Sequence, residues 1–220
     1  MRSADEIESE KRLAAEAAAA LVEDGMRVGL GTGSTVAYLL PALAARHLNV
    51  VCVATSIATE TLGLGLGLEL EPFDRLDRLD IAIDGADQVA ADFWLVKGGG
   101  GAHTREKIVA AATDRFVVIV SGDKIVEALA APVPLELLRF GLRATLRNLS
   151  RLGECRLRDA PLTPDGGVLA DYFGEVGEPG PLASRLASTP GVLGHGLFPP
   201  ELVHDVVVAR GAAVEHLRRV

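Results

Sequence analysis

Three polar clusters in the sequence have residue types that could act on an anionic substrate. They are Gly31-Thr32-Gly33-Ser34-Thr35, Asp84-Gly85-Ala86-Asp87 and the stretch from Lys97 to Glu106. Each cluster comes directly after a short apolar run that predicts a β-strand. Because ligands bind beyond the carboxyl ends of parallel strands, we expect all three clusters to lie along one rim of a sheet.

The first cluster, residues 31–35, is called the hydroxyl loop below. It offers exposed backbone N–H groups and three hydroxyl side chains before a predicted helix, an arrangement that favours phosphate. A capped turn between strand and helix would explain it without a ligand. A dinucleotide site fits poorly, since Ser34 replaces the third glycine of GxGxxG and the next strand ends in Ala54-Thr55-Ser56 without an acid. The lack of a lysine after the glycines excludes a P-loop.

The second cluster places two carboxylates, Asp84 and Asp87, three residues apart after a strand. Carboxylates held close together can share a proton or divide the roles of acid and base, because like charges raise the pKa of one of them. An Asp-Gly turn capped by its own side chain is the alternative that needs no function.

The third cluster begins with Lys97 and four glycines, which let the backbone approach a ligand closely beside a positive charge. Glu106 then lies in the first turn of a predicted helix. It could be a general base facing the ligand, or an acid that only complements the helix dipole. Lys124, after the next strand, adds a further positive charge at the same rim.

Composition and charge argue against several classes of protein, among them nucleic-acid-binding and membrane proteins. The 220 residues carry a net charge of −8, with six Phe, two Tyr and one Trp, which argues against nucleic-acid binding. The 49% hydrophobic content predicts a packed globular chain, and no stretch predicts a membrane span or a secretory signal. Two cysteines without a CxxC pattern and histidines without metal-ligand spacing predict a reduced, cytoplasmic protein with no metal site.

The order of elements predicts an α/β fold. The sequence indicates a helix over residues 5–23, strands over 27–30, 50–53, 80–83, 93–96 and 116–120, and helices over 36–47, 59–70 in part and 104–113. This alternation predicts a Rossmann-like, mostly parallel sheet with helices on both faces. The buried-strand pattern of residues 206–209 predicts a return to that sheet.

After Pro132 and Pro134 the rhythm changes to helices near residues 139–152 and 182–187 and strands near Cys155 and Val168. We therefore expect a catalytic α/β domain formed by residues 1–130 together with 203–220. A smaller α+β, ferredoxin-like domain is expected over residues 131–202.

Taken jointly and in this order, the clusters GTGST at 31–35, DGAD at 84–87, KGGG at 97–100 and TREK at 104–107 resemble the ribose-5-phosphate isomerase type A family. The resemblance is specific from about residue 11 to residue 125 and looser beyond. It implies interconversion of D-ribose 5-phosphate and D-ribulose 5-phosphate through an enediolate, in the pentose phosphate pathway. No cofactor is implied, and the expected assembly is a homodimer.

The resemblance also implies roles for individual residues. Glu106 would be the base that moves a proton between C2 and C1, Asp84 and Asp87 would handle ring opening and hydroxyl protons, and Lys97 would stabilise the enediolate. The implied substrate-binding residues are Lys11, Thr32, Gly33, Ser34, Thr35, Gly85, Ala86, Gly98, Gly99, Gly100 and Lys124.

Two other functions remain open at this point. A sugar-phosphate sensor on the same scaffold would bind without turnover and would not need Asp84, Asp87, Lys97 and Glu106 together. A related sugar-phosphate enzyme, such as an amino-sugar phosphate deaminase or a nicotinamide-dependent enzyme, would release ammonia or bind its cofactor.

Overall fold

The computed structural model of the protein describes residues 3–219. Its helices are α1 (Ala4–Ala19), α2 (Ser34–Ala44), α3 (Ile57–Gly65), α4 (His103–Ala111), α5 (Leu142–Leu149) and α6 (Pro179–Ala187). Its strands are β1 (Arg27–Leu30), β2 (Val51–Ala54), β3 (Glu69–Leu70), β4 (Ile81–Gly85), β5 (Gln88–Ala90), β6 (Leu95–Val96), β7 (Phe116–Ser121), β8 (Ile125–Val126), β9 (Val133–Leu137), β10 (Cys155–Leu157), β11 (Val168–Tyr172), β12 (Val192–His195), β13 (Leu197–Phe198), β14 (Asp205–Arg210) and β15 (Ala213–Arg218).

These elements group into two compact units. The first contains residues up to 86, 105–125 and 201 onward, and the second contains residues 87–104 and 126–200. The limits at residues 130 and 202 stay a prediction about the domains. Across residues 3–219 no helix has both the length and the hydrophobicity that crossing a bilayer requires.

The first unit is built on a seven-stranded sheet in the order β15-β14-β7-β4-β1-β2-β3. All neighbours are parallel except β14 and β15. The mostly parallel sheet is therefore confirmed, and β14 returns to it beside β7 as expected. The edge strand β15 was not predicted, because its side chains are almost all exposed and give no apolar alternation.

Helices cover both faces of this sheet, as predicted. Alternate residues of the strands face opposite sides: Val28 and Leu30 join the core formed with α1 and α2, whereas Gly29 between them lies against Val109 of α4. Helix α1 begins with a capping box between Ser3 and Glu6 and ends at Ala19, earlier than the predicted Glu23.

The second unit contains the predicted ferredoxin-like pattern. The chain runs β9-α5-β10-β11-α6-β12, and the antiparallel sheet has the order β10-β11-β9-β12. Strand β9 was missed, because Pro134 predicted a break where the structure has a buried central strand. The carbonyl of Pro134 still accepts a hydrogen bond from the amide of Gly196 at 2.7 Å.

Strands β5 and β6 form an antiparallel hairpin that continues as a separate small sheet, in the order β13-β6-β5-β8. The predicted strand over 93–96 is shorter, because Phe93 occupies the hairpin turn with a positive φ of 69°. Lys97 therefore follows an antiparallel strand. The prediction that all three polar clusters follow strands of the parallel sheet is wrong for the third cluster.

Candidate active site

The hydroxyl loop connects β1 to α2 at the carboxyl end of the parallel sheet. Helix α2 begins at Ser34, two residues earlier than predicted, so Ser34 and Thr35 lie in its first turn. Gly33 occupies the N-cap position with φ 119°, a conformation that a side chain would strain. Because glycine has no side chain to cap the helix, the backbone N–H groups of this turn face an exposed position that suits an anion.

Asp84 lies directly against the hydroxyl loop. Its carboxylate is 3% exposed, and one oxygen, Oδ1, accepts hydrogen bonds from the backbone N of Gly85 at 2.7 Å and of Thr32 at 3.0 Å. A Cβ atom added to Gly31 would lie 2.0 Å from Asp84 Cγ, so only glycine permits this approach. The bond to Gly85 fits a self-capped turn, but the bond to Thr32 crosses to the neighbouring strand and joins the first two clusters.

Hydroxyl groups that follow β2 form hydrogen bonds with the hydroxyl loop. The hydroxyls of Thr32 and Thr55 are 2.8 Å apart, and Thr59 donates to the carbonyl of Gly31 at 2.7 Å. Ser56 caps α3 by accepting from the N–H of Thr59. Thr55 and Thr59 were not among the predicted site residues, although they follow β2, the next strand along the chain and the neighbour of β1 in the sheet.

Glu106 is buried on the sheet-facing side of α4. Its exposure is 3%, and it precedes by one turn Val109, the residue that packs over Gly29 of β1. Helix α4 leads into the amino end of β7, so its first turn lies toward the carboxyl end of the parallel sheet. An acid that only complemented a helix dipole would not require such burial, so this position favours the general-base interpretation.

Burial also affects the neighbour of Glu106 in the sequence. Lys107 has a pKa lowered to about 7, because burial disfavours the charged ammonium group. The folded chain therefore holds this lysine in its charged form less readily than the unfolded chain does.

Lys11 and Lys124 lie on two elements that a hydrogen bond connects. Lys11 of α1 is mostly buried and forms an ion pair with Glu8 at 2.6 Å. Lys124 ends a short 3-10 turn after β7 and lies 3.7 Å from Asp123. Between them, the buried carboxylate of Glu10 accepts from the backbone N of Gly122 at 3.0 Å and of Gly211 at 2.7 Å. Glu10 was not predicted, because neither partner is close to it in sequence.

In the second unit, Lys97 and Asp87 are held by backbone contacts. Lys97 is 2% exposed, its Nζ lies 5.5 Å from the centre of the Phe198 ring, and its backbone N donates to the carbonyl of Gly196 at 2.8 Å. Asp87 Oδ2 accepts from the backbone N of Gly99 at 2.8 Å. Asp87 is thus joined to the run of glycines after Lys97.

Residues 98–101 form the glycine loop. Gly98 has φ 105° and packs against the His103 ring so closely that a Cβ would lie 2.6 Å from Nδ1. Arg158 donates from Nη1 to the carbonyls of Gly98 at 3.0 Å and Gly99 at 3.1 Å. Sequence reasoning missed Arg158, because about sixty residues separate it from the loop.

The predicted site residues are divided between the two units. The first unit holds Lys11, Thr32, Gly33, Ser34, Thr35, Asp84, Gly85, Ala86, Glu106 and Lys124, and the second holds Asp87, Lys97, Gly98, Gly99 and Gly100. The chain passes from one unit to the other inside the DGAD cluster and again inside the third cluster. No group of three or more His, Cys, Asp or Glu side chains within residues 3–219 is arranged to hold a metal ion.

Comparison with known sequences gives a family match over most of the chain. Residues 51–212 match the family model described as ribose 5-phosphate isomerase A (phosphoriboisomerase A). Ribose-5-phosphate isomerase A of Roseiflexus castenholzii is 44% identical over 202 residues, covering 86% of each chain. The protein of that name from Sphingopyxis alaskensis is 42% identical over 217 residues, covering 94% of this chain and 95% of its own. Residues 6–63 also match the DeoR C terminal sensor domain.

Solved structures agree with the sequence comparison. Ribose 5-phosphate isomerase A from Methanocaldococcus jannaschii is 34% identical, with a TM-score of 0.90 over 95% of this chain and 98% of its own. A D-ribose-5-phosphate isomerase in complex with phospho-erythronic acid is 32% identical, with a TM-score of 0.91 over 97% of this chain and 99% of its own.

Proposed function

The chain belongs to the ribose-5-phosphate isomerase A family, and from that membership we infer that it interconverts D-ribose 5-phosphate and D-ribulose 5-phosphate. The observation that carries this conclusion is the match over residues 51–212, which includes Asp84, Asp87, Lys97 and Glu106. The related isomerase that binds phospho-erythronic acid supports a sugar phosphate as substrate. The reaction class is aldose-ketose isomerisation.

We propose that Glu106 is the general base. Its carboxylate would remove the proton from C2 of the open-chain aldose, leaving an enediolate, and would return a proton to C1 to give the ketose. One base can serve both carbons, because they are adjacent. Burial at 3% supports this role, since a poorly hydrated carboxylate is an effective proton acceptor.

The remaining catalytic roles fall to Asp84, Asp87 and Lys97. We propose that the two aspartates move hydroxyl protons and assist ring opening, and that the Lys97 ammonium stabilises the negative oxygen of the enediolate. General acid-base catalysis contributes about 10² to 10⁴ in rate, and one donor to a developing oxyanion about 10² to 10³. Each of the proposed roles would therefore contribute a part of the rate enhancement.

The phosphate group of the substrate is assigned to the hydroxyl loop. The uncapped first turn of α2, with Ser34 and Thr35, supplies N–H and hydroxyl donors. We propose that Lys11 and Lys124 add positive charge, which an enzyme of net charge −8 must supply locally. Gly85, Ala86 and the glycine loop would let the backbone approach the sugar.

Family membership also suggests an assembly, a location and a pathway for the protein. We propose a cytoplasmic homodimer acting in the pentose phosphate pathway, as the resemblance to the family implies. Light scattering would then give twice the mass of the 23.0 kDa chain, and a monomeric mass at micromolar concentration would contradict the dimer.

The test is a coupled assay with ribose 5-phosphate in the presence of EDTA, on the wild type and Glu106→Gln. Glutamine keeps the shape of the side chain but cannot accept the proton, so kcat should fall by about 10² to 10⁴ while the fold is kept. Glu60→Gln is the matched control, since Glu60 is an exposed first-turn acid of α3. Unchanged turnover in Glu106→Gln would remove its assigned role.

A sugar-phosphate sensor is the second candidate, favoured by the DeoR-type match over residues 6–63. That stretch contains the hydroxyl loop but none of the four proposed catalytic residues. Calorimetric binding of ribose 5-phosphate by a wild-type protein that gives no turnover would support the sensor over the isomerase.

A further inference from the structure

We propose that Arg158 is a positioning residue for catalysis. It holds the glycine loop in the orientation in which the N–H of Gly99 binds Asp87 and the N–H of Gly100 points away from the guanidinium. The inference rests on the proposed function, because it assigns Asp87 and the glycine loop to the reaction. Arg158 itself would act through these groups and would not contact the substrate.

The guanidinium of Arg158 is fixed on one side and binds the loop on the other. Nε donates to Asp171 Oδ2 at 2.8 Å and Nη2 donates to Oδ1 at 2.7 Å, a bidentate pair. The two side chains are 19% and 16% exposed. The remaining nitrogen, Nη1, donates to the carbonyls of Gly98 and Gly99. Asp171 on β11 therefore anchors the cation that grips the loop.

Because peptide groups are planar, the hydrogen bonds from Arg158 to two carbonyls also fix the direction of the two N–H groups that follow them. In a planar trans peptide the C=O and the following N–H point to opposite sides. With the Gly98 carbonyl on Arg158, the N–H of Gly99 points away from it and donates to Asp87 Oδ2 at 2.8 Å. By the same geometry, the Gly99 carbonyl on Arg158 turns the N–H of Gly100 away from the guanidinium. Arg158 thus sets the orientation of two successive peptide groups.

The glycine loop needs such an external tether. Glycine has the largest backbone freedom of all residues, so consecutive glycines have little preference for one shape. The loop does contain one internal bond, from Gly101 N to the Gly98 carbonyl at 3.0 Å, but both of these glycines have positive φ values. Groups that act on the reacting atoms are effective only if the surrounding structure holds them in place beforehand.

A lysine side chain could not make the contacts that Arg158 makes with Asp171 and the glycine loop. The five N–H groups of the guanidinium lie in a fixed plane, which allows a bidentate carboxylate pair on one edge and a further donor on the other. A lysine ammonium is a compact charge on a flexible stem and cannot hold both partners in this geometry. A residue that only balanced the charge of Asp171 would tolerate this exchange, whereas a residue that orients the glycine loop would not.

The experiment compares Arg158→Ala, Arg158→Lys and Arg156→Ala with the wild type. Arg156 is a suitable control, because it is an exposed arginine two residues away that pairs with Glu154. We expect kcat for ribose 5-phosphate to fall about 10²-fold in Arg158→Ala and about tenfold in Arg158→Lys, while KM changes less than about threefold. Arg156→Ala should match the wild type. Added guanidinium at millimolar concentration should restore part of the kcat of Arg158→Ala.

Hydrogen exchange measured by mass spectrometry gives a second readout that does not depend on turnover. Peptides covering residues 98–101 should exchange faster in Arg158→Lys, and peptides covering the hydroxyl loop should be unchanged. Should Arg158→Ala fail to fold, Arg158→Lys carries both measurements. Wild-type kcat together with unchanged exchange in a folded Arg158→Lys would overturn the inference. A wild type without turnover would instead refute the proposed function, and exchange in the loop would still test the tether.

Discussion

Replacement of Gly31 by alanine tests whether the close approach of the hydroxyl loop to Asp84 is essential. The new Cβ would lie 2.0 Å from both Cγ and Oδ1 of Asp84 and 2.5 Å from its Cβ. Carbon contacts in packed proteins are about 3.5 to 4.0 Å. Asp84 or the backbone must therefore move by more than 1 Å, about the amount needed to break a hydrogen bond.

The cost follows from the contacts that would be lost. Forcing an extra methyl into a packed position costs about 1 to 3 kcal/mol. The buried carboxylate would also lose at least one of its bonds to Thr32 N and Gly85 N, worth about 1.5 to 3 kcal/mol each for a charged group. We expect Gly31→Ala to lower the free energy of unfolding by about 3 kcal/mol. For a chain of this length, that lowers Tm by about 6 to 12 °C.

The assay combines thermal unfolding with turnover of ribose 5-phosphate below the transition. Because Asp84 is proposed to move protons, its displacement should reduce kcat/KM by about 10²-fold in protein that is still folded. Gly65→Ala is the matched control: Gly65 lies in α3, and an added Cβ would meet no atom within 4 Å. This control should keep full activity and raise the free energy of unfolding by about 0.5 to 1 kcal/mol.

Two results would refute this reasoning. Wild-type Tm in Gly31→Ala would mean that the loop and Asp84 separate at no cost. A destabilised variant with wild-type kcat/KM would mean that the position of Asp84 against the loop has no part in catalysis.

Two further predictions concern α4 and α1. The pKa of Lys107 is about 7 in the folded chain and near 10.5 when unfolded, so between these pH values the unfolded chain binds more protons and the free energy of unfolding rises with pH. Lys107→Met should reduce that rise, seen as a smaller gain in urea midpoint from pH 7 to pH 9, and an identical gain would contradict it. In Glu10→Gln, the side-chain amide NH₂ would replace one of the two oxygens that accept from the backbone N–H groups of Gly122 and Gly211. The loss of one hydrogen bond should lower the free energy of unfolding by about 1 to 3 kcal/mol. It should also raise KM, because Lys11 and Lys124 lie on the elements that Glu10 connects. The exposed Glu16→Gln on the same helix should do neither.

Much of the first unit could be predicted from local patterns. Apolar runs bounded by Gly and Asp located β1, β4 and β7, and the order of strands and helices predicted the parallel sheet. Parallel neighbours end at the same edge, so the contact between Asp84 and Thr32 follows from β1 and β4 lying side by side. These features depend on short-range periodicity, which a sequence displays directly.

Other elements had no such local signal. Pro134 predicted a break in what is a buried central strand, and the exposed side chains of β15 hid an edge strand. The hairpin of β5 and β6 places Lys97 after an antiparallel strand, because Phe93 takes a turn conformation that its side chain does not favour. For β9, pairing with β11 and β12, which are distant in the chain, outweighs the local preference of Pro134.

The sequence by itself determined the family and the α/β fold, because motif order and apolar periodicity are written along the chain, and it supplied the candidate reactive side chains. The tertiary structure decided which groups hold those side chains in place. Glu10 reaches Gly122 and Gly211, and Arg158 reaches Gly98 and Gly99, across separations of about 60 to 200 residues. Their partners are backbone N–H and C=O groups, which every residue type except proline possesses in full. The choice of partner is therefore set by folding in three dimensions and leaves no mark on residue type.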